Sequence, residues 1–227
     1  MATLELAKEN RVNLLEEILD RNNLNGAYAQ VLRKKGTGGV DGMQVGDLKQ
    51  WLKENKEKLL ESLRKGKYIP QPVKRVEIPK PDGGIRKLGI PTVLDRLIRQ
   101  AIAQVMTPIF EKIFSARSYG FRPGRNTQQA IKQAEAYYRE GYTKVVGIDL
   151  AQYFDTVNHD MLINMVREEI KDERVIALIR RYLKSGVMEG GIVSPNRSGT
   201  PQGGKSITPV VEYLSDKVWP TVGEAQT

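Results

Sequence analysis

The sequence lacks cysteine, contains a single histidine and has no long hydrophobic run. The absence of cysteine excludes disulfides, thiolate metal ligands and a cysteine nucleophile, and it is compatible with the cytoplasm. One histidine, His159, argues against a histidine-based triad or zinc site. No stretch approaches the ~20 apolar residues that a membrane span requires, and residues 1–11 lack the apolar core of a signal peptide. We therefore expect a cytoplasmic protein that has no membrane partner.

The amino-acid composition is typical of a globular protein, with more basic than acidic side chains. Of its 227 residues, 40% are hydrophobic and 28% are charged, which fits one large domain or two small ones with a real core. The formal net charge is +9, and residues 56–99 hold 12 basic side chains against 5 acidic ones. Such density suits a phosphate-binding surface, because each neutralised phosphate releases condensed counterions. A solvated lysine-rich face explains the same charge, so the basic segment suggests a partner without identifying it.

Hydrophobic periodicity predicts helices in the N-terminal part of the chain. Apolar residues at helical spacing over 14–19 indicate a short amphipathic helix, and a second helix is expected over 27–35. Four glycines within residues 36–42 favour unusual backbone angles and exclude a helix there. This turn resembles a phosphate-cradling loop only weakly, because it lacks the closing Gly-Lys-Ser/Thr of a nucleotide-binding loop. Asp47 is a suitable N-cap for the helix that follows.

The clearest local signal in the sequence is a β-hairpin. Residues 73–78 alternate in polarity, a turn rich in proline and glycine follows, and residues 85–90 return the chain. Lys80 and Arg86 flank the predicted tip, where long cationic side chains can reach a ligand. The alternative is that they are only exposed hairpin charges. A long helix over 94–113 is apolar over a wide face, and we expect it to form part of the core.

The second half of the chain is predicted to combine loops, helices and strands. Residues 144–150 are largely apolar and indicate a buried strand that ends at an acid, Asp149. There is no internal repeat and no linker long enough to separate two independent domains. The other predicted elements are a loop over 118–125, a helix capped by Asn126 or Thr127 and reaching 138, helices over 161–170 and 175–183, and a glycine-rich hairpin within 186–204.

An aspartate at the end of an apolar strand is costly unless something compensates its charge. Asp149 occupies such a position, and Asp155 follows six residues later. One interpretation is a Mg²⁺ ligand, because this hard cation binds carboxylate and main-chain carbonyl oxygens together with substrate phosphates. The other interpretation is an aspartate that caps the following turn. This stretch alone leaves both open.

Several motifs in order resemble a known family. Residues 76–91 include Ile-Pro-Lys-Pro-Asp-Gly-Gly, residues 118–124 read Ser-Tyr-Gly-Phe-Arg-Pro-Gly, and residues 199–204 read Gly-Thr-Pro-Gln-Gly-Gly. Together with Ile-Asp-Leu-Ala-Gln-Tyr-Phe-Asp in residues 148–155, they resemble the reverse transcriptase of group II intron-encoded maturases. The glycine-rich turn and the helical region before it resemble that family's N-terminal blocks, so the similarity covers roughly residues 12–204.

The resemblance implies an α+β fold of the right-hand polymerase type, with helix-rich fingers that contain a β-hairpin and a partial palm. In this interpretation residues 1–115 are fingers with an N-terminal extension, and residues 116–204 are fingers and palm with the first catalytic aspartate. Residues 205–227 form a tail unlike the family. The implied activity is RNA-directed DNA synthesis with two Mg²⁺ ions, linked to intron splicing and mobility.

The resemblance also implies roles for individual residues. Lys80 and Arg86 match the finger residues that clamp the incoming deoxynucleoside triphosphate, and Phe154 matches the side chain that rejects a ribose 2′-hydroxyl. Gln202 matches a glutamine near the incoming nucleotide and template. Asp149 matches the first metal-binding aspartate, with the main-chain oxygen of Leu150 as a further ligand.

Each of these residues also has a structural interpretation. Phe154 is a candidate core residue, and Gln202 is a candidate for ordering its glycine-rich turn. His159 is expected to cap or pack a helix start, and no catalytic role is assigned to it. Arg122 and Arg125 either touch RNA or brace the fingers, and the cations of the first hairpin strand, Lys74 and Arg75, are weaker candidates for RNA contact.

The chain departs from the family pattern after Gly204. The family continues with an apolar run and a Tyr-x-Asp-Asp hairpin, whereas this sequence contains no adjacent pair of aspartates. Because one aspartate cannot hold two ions about 3.5–4 Å apart, we expect this polypeptide alone not to polymerise. The implied partners are intron or template RNA, and a DNA primer and nucleotide in the intact enzyme. An RNA-binding maturase module without catalysis is the alternative, and an exposed sheet edge predicts a homodimer or a monomer covered by its own tail.

Overall fold

The computed structural model describes residues 13–79, 81, 83–147 and 153–200 of the chain. Within these residues the fold combines helices with one small mixed sheet, which confirms the α+β prediction. No helix in these ranges combines the length and the hydropathy that a membrane span needs. The helices are α1 Leu14–Ile18, α2 Arg21–Lys34, α3 Leu48–Arg64, α4 Val93–Glu111, α5 Thr127–Arg139, α6 Tyr153–Thr156, α7 His159–Glu169 and α8 Glu173–Lys184.

A single apolar core joins helices from both ends of the described chain. Buried residues of α1, α2, α3 and α4 pack with those of α7 and α8 in one cluster. Helix α4 contributes the most buried residues, as its wide apolar face predicts, and Thr92 caps it by accepting a hydrogen bond from the Asp95 amide at 3.1 Å. The predicted helix over 94–113 is therefore confirmed as a core element.

Helix α2 begins earlier than the sequence predicts. The Asp20 carboxylate accepts hydrogen bonds from the amides of Asn22 and Asn23 at 2.7 and 3.3 Å, so the break lies at residues 19–20. Gly26 stays inside the helix, where a Cβ would meet the Gln104 amide nitrogen of α4 at 3.4 Å. This contact is of ordinary van der Waals length, so α2 tolerates Gly26 without any special packing requirement.

Asp47 occupies the N-cap position of α3, as the sequence predicts. Its carboxylate accepts the Gln44 amide at 2.9 Å and closes a short 3₁₀ turn, Val45–Asp47, that leads into the helix. No side-chain cap hydrogen bond is made to α3 itself. The predicted N-cap position of Asp47 is therefore confirmed, but its carboxylate is used in the 3₁₀ turn before the helix.

The sheet joins the predicted hairpin to a second one. Strands β1 Val73–Pro79 and β2 Ile85–Ile90 pair antiparallel, and β3 Val187–Glu189 pairs antiparallel with β4 Ile192–Ser194. Strands β1 and β3 run parallel, with Val73 opposite Val187, so the strand order is β2-β1-β3-β4. Both predicted hairpins are confirmed.

The predicted strand over 144–150 is not formed in its described part. Residues 142–147 have no regular secondary structure, and Val145 and Val146 are 94% and 81% exposed. No described strand pairs with them, and an apolar run becomes a buried strand only when a neighbouring strand takes up its backbone hydrogen bonds. The expectation of a buried strand was therefore wrong for residues 144–147, whereas residues 148–150 lie outside the described ranges.

Candidate functional site

A buried carboxylate holds the base of the first hairpin. The side chain of Asp95, on α4, is fully buried and accepts hydrogen bonds from the Tyr68 hydroxyl at 2.7 Å and the Gln71 amide at 3.2 Å. The Thr92 hydroxyl donates to the same carboxylate at 2.7 Å. Residues 68–71 lead directly into β1, so this cluster fixes the direction in which the hairpin leaves the core.

Cations and aromatic rings complete this cluster. Burial, together with the nearby charge of Asp95, raises the pKa of the Tyr68 hydroxyl, which therefore stays protonated and donates. The buried Arg99 guanidinium lies 4.7 Å from the ring centroid of Tyr182, on α8. Such a stacked arginine offsets part of the cost of a buried charge. The cluster therefore joins α4, α8 and the root of β1 into one rigid support.

The exposed arms of the hairpin carry the cations that the sequence predicts. Arg86 is exposed on β2 opposite Ile78, and no ion pair involves it among the described residues. Lys74 is exposed on β1, whereas Arg75 is half-buried. Lys87, by contrast, lies 3.5 Å from a carboxylate oxygen of Glu77. The surface of β2 thus presents an arginine that is available for an anionic ligand.

The second hairpin leads to the turn that precedes Gln202, and this turn is fixed against the start of α7. The Gly199 amide donates to the Val157 carbonyl at 2.8 Å, and His159 Nε2 lies 2.7 Å from the Gly199 carbonyl oxygen. The Asn196 side-chain amide donates to the same carbonyl at 3.0 Å. His159 is buried, which confirms the prediction of a packing role. The segments that follow Asp149 and precede Gln202 therefore meet.

Arg122 and Arg125 lie in the loop of residues 118–125. All three guanidinium nitrogens of Arg122 are engaged: they donate to the Glu111 carboxylate and to the carbonyls of Ser115 and Ser118. This buried arginine braces the loop against the end of α4, as one of the two interpretations predicts. The Arg125 guanidinium lies 5.3 Å from the ring centroid of Tyr119. RNA contact by either residue stays a prediction.

The other predicted site residues lie outside the described part of the chain. They are Lys80, Asp149, Leu150 and Gln202, together with the side chain of Phe154, and the predicted tail of residues 205–227 lies outside it as well. The described residues contain no group of three or more acidic or histidine side chains placed to hold a metal ion. The Mg²⁺ site on Asp149 and Leu150 therefore stays a prediction.

Comparison with known proteins identifies the family. Residues 78–210, more than half of the chain, match the family described as reverse transcriptase (RNA-dependent DNA polymerase). The chain belongs to this reverse transcriptase family. The match begins at the end of β1 and covers β2, α4, the loop of residues 118–125 and the turn at Gly199.

Relatives confirm the resemblance to group II intron proteins within the reverse transcriptases. The chain is 39% identical to Protein YkfC of Escherichia coli K12 over 88% of its length, and it covers 54% of that protein. It is 34% identical to the group II intron-encoded protein LtrA of Lactococcus lactis subsp. cremoris over 90% of its length, covering 35% of LtrA. The chain thus spans about half or less of these relatives.

A solved structure confirms the fold of the reverse transcriptase. A chain of a partial Cas6-RT-Cas1–Cas2 complex superposes with a TM-score of 0.60 at 25% identity. The similarity covers 90% of this chain and 34% of the other. Together with the observed helices and mixed sheet, it confirms the prediction of a fingers and partial palm fold.

Sequence reasoning missed the residues that support the site. Asp95 lies three residues after Thr92, the N-cap residue of α4. Asp172 is itself the N-cap residue of α8. That signal was available, but it predicts a helix cap and not a carboxylate that also binds distant parts of the chain. Only the folded structure shows that the Asp95 carboxylate accepts hydrogen bonds from Tyr68 and Gln71.

Proposed function

We propose that this chain is the fingers and palm portion of a group II intron reverse transcriptase that binds intron or template RNA. The observation that carries the proposal is the shared sheet. Strand β1 carries the cationic hairpin, and it pairs with β3 of the hairpin that leads to Gly199 and the Gln202 motif. One rigid element thus links two motifs of the family, whose activity is RNA-directed DNA synthesis.

Within this proposal each predicted residue has a physical role. Lys80 and Arg86, on the hairpin, neutralise the triphosphate of the incoming nucleotide. Because the hairpin already holds these charges in place, little rearrangement is needed during the reaction. Phe154 excludes a ribose 2′-hydroxyl by its volume, and Gln202 contacts the nucleotide and template. Asp149 and the Leu150 carbonyl hold Mg²⁺, the metal ion that the family uses, which supplies charge stabilisation during phosphoryl transfer.

The same proposal assigns no polymerase activity to the 227-residue polypeptide by itself. Two-metal phosphoryl transfer needs several carboxylates that converge on the ions. The sequence has no adjacent pair of aspartates, and Asp155 matches a separate position of the family. Asp149 alone therefore holds an incomplete metal site in this polypeptide.

Primer extension on an RNA template tests the proposal. We expect no template-dependent DNA synthesis by the chain, and the same result for an Asp149→Ala variant. Synthesis by the wild-type chain that is lost in the variant contradicts the proposed inactivity and supports the role of Asp149. RNA binding, measured in parallel, is expected to weaken steeply as salt is added, because phosphate contacts carry it.

A second candidate is an RNA-binding module that assists intron splicing without catalysis. The net charge of +9 favours it, because RNA binding requires only a basic surface. A splicing assay with a group II intron RNA separates the two candidates. Faster splicing that is unchanged by Asp149→Ala supports the module, whereas RNA binding without any effect on splicing supports the reverse transcriptase portion.

A further inference from the structure

A surface groove lies at the root of the first hairpin, beside helix α8. It has a volume of about 680 Å³ and is open to solvent on one side. One wall is the extended segment 69–72, in which Ile69 is 76% exposed, and the other wall is the last turns of α8. Three cations line it: Arg180, Arg181 and Lys184.

The charge in this groove is largely uncompensated. No acidic residue lines it among the described residues, and only Arg180 forms an ion pair, with Asp160 of α7. The side chains of Arg181 and Lys184 form no hydrogen bond or ion pair with a described residue. The Arg181 guanidinium instead reaches across to the turn after α3, where Nη2 lies 3.7 Å from the Cβ position that Gly66 lacks.

The helix itself explains only part of this arrangement. Arg181 and Lys184 lie in the last turn of α8, where cations interact favourably with the helix dipole. Their spacing of three residues places both side chains on one face of α8, but it does not account for the facing wall of proline and isoleucine. The groove therefore combines excess positive charge with an apolar wall, and excess positive charge is what binding of a nucleic-acid backbone requires.

We propose that this groove binds the phosphodiester backbone of RNA, as a contact separate from the hairpin tip. The proposal rests on the proposed RNA-binding function and adds a second place at which the chain holds its RNA. The groove adjoins the start of β1 at Val73, and the tip follows its end at Pro79. At about 3.3 Å per residue, the two contacts lie roughly 20 Å apart along the strand.

Charge reversal in the groove tests this proposal. The variant carries Arg181→Glu and Lys184→Glu, and Arg180 is left intact because it pairs with Asp160. The matched control carries Lys49→Glu and Lys53→Glu, two exposed lysines near the start of α3 that form no ion pair with a described residue. Both variants change the net charge equally. With a rise of 1.5 Å per residue in α3, the control positions lie about 20–25 Å from Gly66.

The measurement is the affinity for a labelled single-stranded RNA, by fluorescence anisotropy, as a function of salt concentration. If the two cations contact phosphates, the groove variant binds more weakly, and the slope of log affinity against log salt falls by about 1.5. The control keeps the wild-type slope. Circular dichroism verifies that both variants fold, and a milder pair, Arg181→Gln and Lys184→Gln, replaces the groove variant if reversal unfolds it.

The outcomes separate the groove from the proposed function. If the wild-type chain binds RNA and the groove variant keeps its slope and affinity, the groove proposal is overturned while RNA binding stands. If the wild-type chain does not bind RNA, or binds it independently of salt, the proposed function fails and the groove proposal with it. If the groove variant changes only the self-association seen by light scattering, the groove contacts protein, and the proposal is again overturned.

Discussion

At the scale of single residues, the buried carboxylate of Asp172 connects two distant helices. It caps α8, and one of its oxygens accepts the Leu15 amide of α1 at 3.0 Å. Arg174 donates to both of its oxygens and also reaches Glu16. Residues 157 positions apart are therefore joined by one side chain.

We predict that Asp172→Asn lowers the free energy of unfolding by about 1–3 kcal/mol at pH 7. Burial opposes the ionisation of Asp172, but hydrogen bonds from Arg174 and the Leu15 amide outweigh it and lower the pKa below the ordinary value of 3.8. A lowered pKa means that the stabilisation is present above about pH 4 and is lost as the pH falls through the pKa of the folded state.

Urea denaturation at several pH values measures this effect. The difference between wild type and Asp172→Asn is expected to shrink as the pH falls below about 4, because the unfolded chain takes up a proton on Asp172 before the folded chain does. A difference that stays constant over this range contradicts the assigned role of Asp172.

His159 is the second residue whose removal has a specific expected result. We predict that His159→Ala destabilises the turn at Gly199, because its imidazole is a buried partner of the Gly199 carbonyl at 2.7 Å. Hydrogen exchange at the Gly199 amide, which donates to Val157, should become faster, and the overall stability should fall by about 1–2 kcal/mol. Met161→Ala, an exposed position on the same helix, is the control. Unchanged exchange at Gly199 would falsify this role.

At the scale of elements, the glycine-rich turn of residues 36–42 is explained by positive φ angles at Gly36 and Gly42 and by close packing at Gly39. A Cβ on Gly39 would lie 2.6 Å from Thr92 Cα and 2.7 Å from its nitrogen, at the N-terminus of α4. Arg96, also on α4, donates to the carbonyls of Lys35 and Thr37. The turn is therefore held against α4 by close backbone contact, and the phosphate-cradle interpretation is not needed to explain its glycines.

We predict that Gly39→Ala lowers the stability of the chain by about 1–3 kcal/mol, since the backbone of Thr92 must shift to admit the methyl group. Gly46→Ala is the matched control, because nothing lies within 4 Å of its Cβ position. Thermal unfolding of both variants measures the effect. Equal melting temperatures for the two variants would show that the turn accommodates the methyl group without loss of stability, which contradicts the prediction.

Elements with strong local signals could be predicted from the sequence, and those decided by distant contacts could not. The hairpin of β1 and β2, helix α4 and the Asn126 cap of α5 follow from local patterns and agree with the structure. The start of α2 and the partner of the Asp47 carboxylate depend on which of several polar residues meets a free amide. The buried cluster around Asp95 depends on tertiary contacts that no local pattern contains.

At the scale of the whole molecule, the described residues leave several apolar side chains exposed, and strand edges in them have no described partner. Helix α5 has no buried residue, and Ile131 and Tyr138 on it are largely exposed. Strand β4 ends the sheet, and its Ile192 and Val193 are exposed. Monomeric soluble proteins rarely leave such surfaces uncovered, and free strand edges invite pairing with another chain.

We therefore predict that the chain self-associates through its apolar surface as its concentration rises. Val145 and Val146 are the most exposed of these apolar residues at 94% and 81%, and an extended apolar segment is suited to strand pairing. A variant with Val145→Lys and Val146→Lys should stay monomeric at concentrations at which the wild type forms dimers, as measured by light scattering. Arg181→Gln with Lys184→Gln, which changes only the groove, should dimerise like the wild type. A wild-type chain that is monodisperse and monomeric at every concentration contradicts the prediction, because the exposed valines would then be stable in water without a partner.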